Sequence, residues 1–473
     1  MGGNDLFDLS TEFNEFYKNC VVLPASVQSD LRKKKKLNID RLKEGLKEYN
    51  KEHNTDYKIS ESRVQGSMAM HTVVQNDEND YDIDVAIVFE SDNLGNLGPL
   101  ATRNIVAEAL SYKMGQFSEP PEVKTSCVRI KYAEGYHVDF AVYRRYKTYD
   151  WQDEYEYEHA GKTWAQRSLS ALDDWFKEEI EEYGDVLRKV IRLSKMFCKS
   201  RSEWRMPSGI IQTVLCDEKI DIVDGRLDET FYNTMKAVMN RIEYNSSVPA
   251  PTDNGRELAG RKSDEDRIAN LFNRLERNLK KLDVLFDAGC TEQEAVDAWY
   301  HFFENDFWSD ILNESKDMTK SYVAERMAYE AGEIRNTEEF IEDKYDVQEL
   351  YDVRIKCEVD QNGFRRIPLW KFYNRYTEVF KGYLPHHYDI YCEVETDAKR
   401  YDKVMWKVRN VGHYAIERDC IRGQIMHTGN TLHEKSCFNG PHYIECYLIK
   451  DNTCVGIGYI DVKIGGGDGK EYY

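Results

Sequence analysis

Three patterns of apolar spacing succeed one another along the chain. Residues 28–52 set Leu31, Leu37, Ile39, Leu42 and Leu46 among charged neighbours, which predicts an amphipathic helix. The segment Tyr81–Phe89, YDIDVAIVF, alternates acids with Val and Ile and predicts a strand. A glycine-bearing loop at 93–99 and a helix at 102–114 follow. Cys127–Tyr132 and Tyr136–Tyr143 then read as two strands of a hairpin, joined by Ala133-Glu134-Gly135. From about 165 to 330 the period lengthens to that of helices. Leu187, Val190, Ile191, Ser194 and Phe197 line one face of a helix over 184–201, and 264–286 and 292–304 add two more. Beyond about 347 the alternation returns in Val353–Val359, Tyr388–Val394, Val404–Val408, Cys420–Met426, Tyr443–Ile449 and Val455–Ile464. Turn residues such as Gln361-Asn362-Gly363 and Asp451-Asn452 separate these runs, as in a β-sandwich.

The pattern predicts an α+β protein in two parts. A bilobal core occupies 1–315, with a mixed sheet over about 55–150 and a helical lobe over about 165–315. An acidic, polar linker at 316–346 leads to an all-β domain at 347–473, whose glycine-rich tail is expected to be mobile. The 65 Lys and Arg against 85 Asp and Glu give a net charge of −20 over 473 residues. That balance argues against broad binding to duplex DNA, which needs a basic surface to replace counterions. It leaves room for a small anionic ligand held by a few local cations. No apolar run reaches the roughly 18 residues of a membrane span, so no membrane contact is expected. No secretory signal pattern opens the chain, and the 11 cysteines form no CxxC, which predicts reduced thiols and a cytoplasmic protein.

The chemistry concentrates in three acids and a turn. Asp82 and Asp84 stand two apart in a strand, so their side chains leave the same face while Ile83, Val85 and Ile87 leave the other. Asp139 lies in a second alternating strand, HVDFAV. If the strands are neighbours, three carboxylates converge, and they repel one another unless a cation joins them. Mg²⁺, with Mn²⁺ as a substitute, is the oxygen-seeking ion that suits them, and two ions fit such a site. Upstream, Gly66-Ser67 marks a candidate helix start whose N–H groups and hydroxyl suit a phosphate. The order is a Gly-Ser turn, a strand-borne DxD 15 positions after Ser67, then a lone Asp on another strand. Together they describe nucleotidyl transfer.

On these residues the chain resembles the polymerase-beta-like nucleotidyltransferases. GSMAMHTVVQNDENDYDIDVAIVF followed by HVDFAVY is similar to the bacterial relatives of cyclic GMP-AMP synthase and oligoadenylate synthase, the CD-NTase or SMODS enzymes of anti-phage signalling. LRKVIRLSKMFCKS and MPSGIIQTVL resemble the part of that family that grips the donor triphosphate, which implies that role for Lys195 and Ser208. The stripe Arg188, Arg192, Lys195 and Lys199 lies opposite the apolar face of the same predicted helix. The resemblance implies a cyclic di- or trinucleotide synthase that uses ATP, GTP or other nucleoside triphosphates. It also implies a downstream effector that reads the product; no obligate protein partner is visible. Transfer of a nucleotide to a protein or RNA acceptor, or nucleotide binding without turnover, would use the same acids. VMWKVRNVGHYA, CIRGQI, HEKSCFNGPHYIECYLI and DVKI resemble the adenylyl/guanylyl and SMODS C-terminal sensor domain.

Several other signals have plainer readings. The run Lys33–Lys36 is expected on a solvated face. His386-His387 with Cys392, and Cys437 with His442 and Cys446, match no usual zinc spacing. Trp299-Tyr300-His301-Phe302-Phe303 reads as helix core. Trp406, Asn410, Arg422, Glu434 and His442 read as residues that build the β-domain.

Overall fold

The computed structural model describes residues 6–75, 81–115, 119–148, 154–252, 255–314, 339–348, 350–360, 365–376, 382–410, 415, 420–427, 429–437 and 439–465. Residues 316–338 of the expected linker, the tail beyond 465 and the turn at 361–363 lie outside them. The chain divides into two compact units. One is Met1–Pro24, Lys33–Ser60 and Val64–Val323; the other is Ala25–Arg32, Glu61–Arg63 and Ala324–Tyr473.

The first unit opens with helices α1 (Ser10–Phe16) and α2 (Ala25–His53, shared at its start with the second unit). Strand β1 (Glu61–Gln65, of which Glu61–Arg63 are counted with the second unit), the single turn α3 (Gly66–Ala69) and strand β2 (Asp82–Glu90) follow, then α4 (Ser91–Leu94) and α5 (Pro99–Ser111). The remaining strands are β3 (Glu122–Val123), β4 (Val128–Lys131), β5 (His137–Lys147), β6 (Tyr155–Ala160) and β7 (Trp164–Gln166). The sheet order is β1-β2-β5-β4-β3, with β6 on β5 and β7 on β6. Strands β2 and β5 run parallel, while β4 and β6 meet β5 antiparallel, so the sheet is mixed. It continues to Gln166, beyond the expected limit near 150, because the short strands 155–160 and 164–166 extend the β5 edge.

In α2 the buried stripe is Asn38, Ile39, Leu42 and Leu46, while Leu37 is 46% exposed. The lysine run is not uniformly solvated: Lys33 and Lys36 are exposed, Lys35 is buried, and the Lys34 ammonium lies 3.6 Å from the Tyr136 ring centre. Helix spacing turns the four residues to different sides, so one run cannot stay on one face. A helical lobe follows, made of α6 (Ala171–Tyr183), α7 (Asp185–Lys199), α8 (Gly209–Lys219), α9 (Leu227–Tyr244), α10 (Lys262–Leu279), α11 (Glu292–Phe303) and α12 (Asp306–Glu314). A reciprocal Thr291–Glu294 capping box starts α11. Its Trp299, Phe302 and Phe303 are buried among Phe13, Phe16, Phe231 and Trp308. Such large rings each bury a large apolar area in the lobe.

The second unit contains a sandwich. One sheet joins β10 (Ile367–Pro368), β9 (Val353–Asp360), β11 (Asp389–Thr396) and β14 (Thr431–Lys435). The other joins β13 (Arg422–His427), β12 (Lys403–Arg409), β15 (Gly440–Lys450), β16 (Thr453–Ile464) and the short β8 (Asp346–Val347). Val353, Val359 and Ile390 from the first share one core with Trp406, Ile444 and Val462 from the second. Strand β14 and helix α13 (Leu369–Arg375) escape the sequence pattern, the strand because only Leu432 of its five residues is buried. Arg422 forks onto Glu434 at 2.7 and 2.8 Å, and Trp406 donates to Gly429 O at 2.7 Å, so these residues build the domain.

Gly45 marks the tightest approach of α2 to α5: a Cβ there would stand 1.9 Å from the Ala109 carbonyl oxygen. The helices must separate to accept it. Gly45→Ala is therefore expected to lower unfolding free energy by about 1–3 kcal/mol, measured by denaturant titration; an unchanged midpoint would contradict the close packing.

Candidate active site

The parallel register of β2 and β5 sets Asp84 directly beside Asp139, and Asp82 beside His137. The alternation that turns these acids to one face of the sheet buries their neighbours on the other: Ile83, Val85, Ile87, Val138, Phe140 and Val142 are all fully inaccessible. The apolar halves of two strands thus fix the acids at one position on the sheet. Three carboxylates share the site, and Asp84 feels the crowding most. Burial first, then the charges of Asp82 and Asp139, push its carboxyl up to about 7, with Arg129 partly offsetting them.

Arg129 stands opposite Asp139 across the β4–β5 hairpin. Its Nε donates to Asp139 Oδ1 at 2.7 Å and its Nη2 to Asp139 Oδ2 at 2.7 Å. The same Nη2 reaches Asp82 Oδ1 at 3.2 Å. The Cys127 thiol donates to Asp139 Oδ2 at 3.4 Å, and burial pushes that thiol up to about 12. Neither Arg129 nor Cys127 was singled out from the sequence. Counting outward from the Ala133-Glu134-Gly135 turn would have found Arg129, since 132 pairs with 136 and 129 therefore faces 139.

The residues expected to hold phosphate adjoin the acids. Gly66 has φ +65°, and a Cβ on it would stand 2.6 Å from Asp84 Oδ2, so glycine both makes the turn and lets the acid approach. The Ser67 carbonyl accepts from Thr72 N at 2.8 Å, closing the loop after α3. Lys195, on α7, donates to Thr72 Oγ1 at 2.6 Å and to Thr72 O at 3.2 Å. A Cβ on Gly209, next to Ser208, would lie 3.2 Å from Lys195 Cε. Ser208 itself is exposed at the start of α8. Asp139, Asp84, Gly66-Ser67, Thr72 and Lys195 thus succeed one another through register, close approach and hydrogen bonds, and Asp82 joins through Arg129, while Ser208 is placed only by its neighbour Gly209 near Lys195.

The basic stripe of α7 is a packed interface and not a solvated one. Arg188 donates to Met70 O at 3.1 Å and Arg192 to the Tyr17 hydroxyl at 2.6 Å, both from buried positions, while Lys199 is exposed. Burial first, and Arg192 second, bring the Lys195 ammonium down to about 7. A buried amine in that state gains charge when an anion arrives. Phosphate is such an anion.

Among the described residues, no three His, Cys, Asp or Glu side chains are arranged ready for an ion. The donor set nevertheless fits a divalent cation. Burial and then the neighbouring carboxylates raise the Asp84 carboxyl, and the cation that now bridges Asp82 and Asp139 is the Arg129 guanidinium. Also among the described residues, no helix is long and apolar enough to cross a membrane.

Residues 60–143 match the family model for the nucleotidyltransferase domain of cyclic GMP-AMP synthase DncV-like proteins. Residues 335–465 match that of the adenylyl/guanylyl and SMODS C-terminal sensor domain. Among solved structures, the chain is similar to Vibrio cholerae DncV cyclic AMP-GMP synthase in complex with the linear intermediate 5′ pppA(3′,5′)pG. The identity is 17% over 64% of this chain and 97% of that one, with a TM-score of 0.52. The same enzyme with nonhydrolyzable GTP matches at 17% identity over 64% of this chain and 96% of that one, with a TM-score of 0.53. At these identities the structural likeness is one of fold; the family model carries the enzyme class.

Asp84 gives a pH signature in the absence of divalent ions. Its folded value near 7 exceeds the ordinary 3.8, so the folded chain holds a proton that the unfolded chain has lost between those limits. Stability from this group is present at low pH and falls as pH rises through about 7. Asp84→Asn in EDTA is expected to melt a few degrees above the parent at pH 8 and level with it near pH 4; equal melting at both would contradict the crowding.

Proposed function

We propose that this nucleotidyltransferase, with its SMODS-type C-terminal domain, joins nucleoside triphosphates into a cyclic di- or trinucleotide and releases pyrophosphate. The observation that carries the reading is the lateral pairing of Asp84 with Asp139, with Gly66 against the Asp84 carboxylate. The product serves as a second messenger in anti-phage signalling within the cytoplasm, read by a downstream effector. In this reading a sensor-like domain of residues 347–473 follows a catalytic core of residues 1–315.

The reaction is attack of a 3′ or 2′ hydroxyl on the α-phosphorus of a nucleoside triphosphate. The oxygen–phosphorus bond forms, the α–β bridging bond breaks, and pyrophosphate carries away the electron pair. Asp82, Asp84 and Asp139 would hold two Mg²⁺ or Mn²⁺ ions, whose Lewis acidity lowers the hydroxyl's pKa and offsets charge on the pyrophosphate. In this reading Asp139 accepts the hydroxyl proton. Gly66 and Ser67 offer a backbone turn and a hydroxyl to the donor's phosphates. Lys195 supplies a positive charge, since its near-neutral amine takes up a proton as the phosphate approaches. Ser208, at the head of α8 and next to Gly209, which packs near Lys195, would add a hydroxyl. The Vibrio cholerae relative in complex with a linear pppA(3′,5′)pG supports an order in which a linear dinucleotide precedes ring closure.

Mass spectrometry of products from all four nucleoside triphosphates with Mg²⁺ or Mn²⁺ tests the proposal. A free cyclic oligonucleotide with pyrophosphate is expected, and its loss in the folded Asp82→Ala, Asp84→Ala double variant. No product without an added protein or RNA acceptor would overturn the cyclisation reading; full turnover by the double variant would overturn the site.

A further inference from the structure

The pairing of Arg129 with the acids has a meaning beyond hairpin stability. An arginine fork on a carboxylate is a strong, oriented contact, with two parallel N–H donors and a charge that never titrates near neutrality. Here both Asp139 oxygens are engaged by the fork, Oδ2 also accepting from Cys127, and the third contact falls on Asp82. Arg129 and Asp139 are largely shielded, with side-chain exposures of 20% and 12%, so the pair is little weakened by solvent. Hydrogen bonding to Asp139 outweighs burial and raises the guanidinium above its ordinary value.

We infer that Arg129 is a displaceable internal counter-ion, occupying in the ion-free enzyme the carboxylate oxygens of Asp139 and Asp82 that a divalent cation takes in the loaded one. The inference rests on the reading of the three acids as an ion site and adds a competition to it. While the fork is closed, part of the acids' charge is offset without metal and Asp139 is held away from coordination. Opening it exposes two carboxylates at once and frees a guanidinium beside the site. An anionic nucleotide gives that guanidinium a new partner, so phosphate and ion arrive cooperatively. Arg129 is thus a positioning residue that sets the affinity of the site for its ion.

The test is Mn²⁺ binding to the full chain without nucleotide, followed by electron paramagnetic resonance of free Mn²⁺, with thermal melting in EDTA as a check of folding. Arg129→Gln is expected to bind Mn²⁺ about tenfold tighter than the parent, within the usual range of coupling between sites. Arg129→Lys, which keeps one charge but loses the fork, should fall between them. Equal affinity in all three folded proteins, or weaker binding in Arg129→Gln, overturns the competition while leaving the ion site in place. Binding that persists unchanged in the Asp82→Asn, Asp84→Asn variant overturns the ion site itself, and the inference with it.

Discussion

Everything at the site depends on like charges being held together by apolar burial. The parallel pairing of β2 and β5 forces Asp84 beside Asp139, and neither strand can slip by a residue to separate them. A one-residue slip would turn Ile83, Val85, Ile87, Val138, Phe140 and Val142, all fully buried, to the opposite face. The hydrophobic effect over six such side chains, roughly 1.5–3 kcal/mol each on full burial, outweighs the repulsion of a few carboxylates. The excess negative charge is then met by whatever cation is at hand. In the ion-free protein it is a proton on Asp84 and the guanidinium of Arg129.

The positive side of the site is built by the same trade. Arg188 and Arg192 give their hydrogen bonds to Met70 O and Tyr17 and so fasten α7 to neighbouring segments. Lys195, one turn on, is buried, donates to Thr72 Oγ1 and O, and has its charge suppressed by burial. One helix thus carries cations of two kinds: those satisfied within the fold, and one whose charge an incoming anion would restore. In the second unit, burial alone would raise the Glu445 carboxyl, yet Arg32 and Lys407, the latter 3.1 Å away on the paired strand, hold it below its ordinary range. Removing both cations would leave a buried charge with its full desolvation cost.

The acids and the Gly-Ser turn were legible because their signals are local. A strand fixes which face a DxD uses, and a glycine before a helix start fixes the turn. The pairing of β2 with β5 is not local, and the sequence raised it only as a condition. Arg129 carries no local signal of its own: its place opposite Asp139 follows only from the pairing of the hairpin strands. Lys195 came from resemblance, since nothing in its helix spacing distinguishes it from Arg188 or Lys199. The lysine run of α2 misled because consecutive residues on a helix cannot share one face, and Leu37 was misassigned for the same reason. Strands β6, β7 and β14 escaped because they are short and half-exposed, leaving little alternation to read.

The most direct measurement is a crystal structure of the chain with Mn²⁺ and a non-hydrolysable nucleoside triphosphate, with the ions located by anomalous scattering. The account predicts Mn²⁺ bridging Asp82, Asp84 and Asp139, the triphosphate lying against Gly66-Ser67 and Lys195, and Arg129 turned off Asp139. Ions elsewhere, or Asp139 outside coordination distance with its arginine still in place, would contradict it.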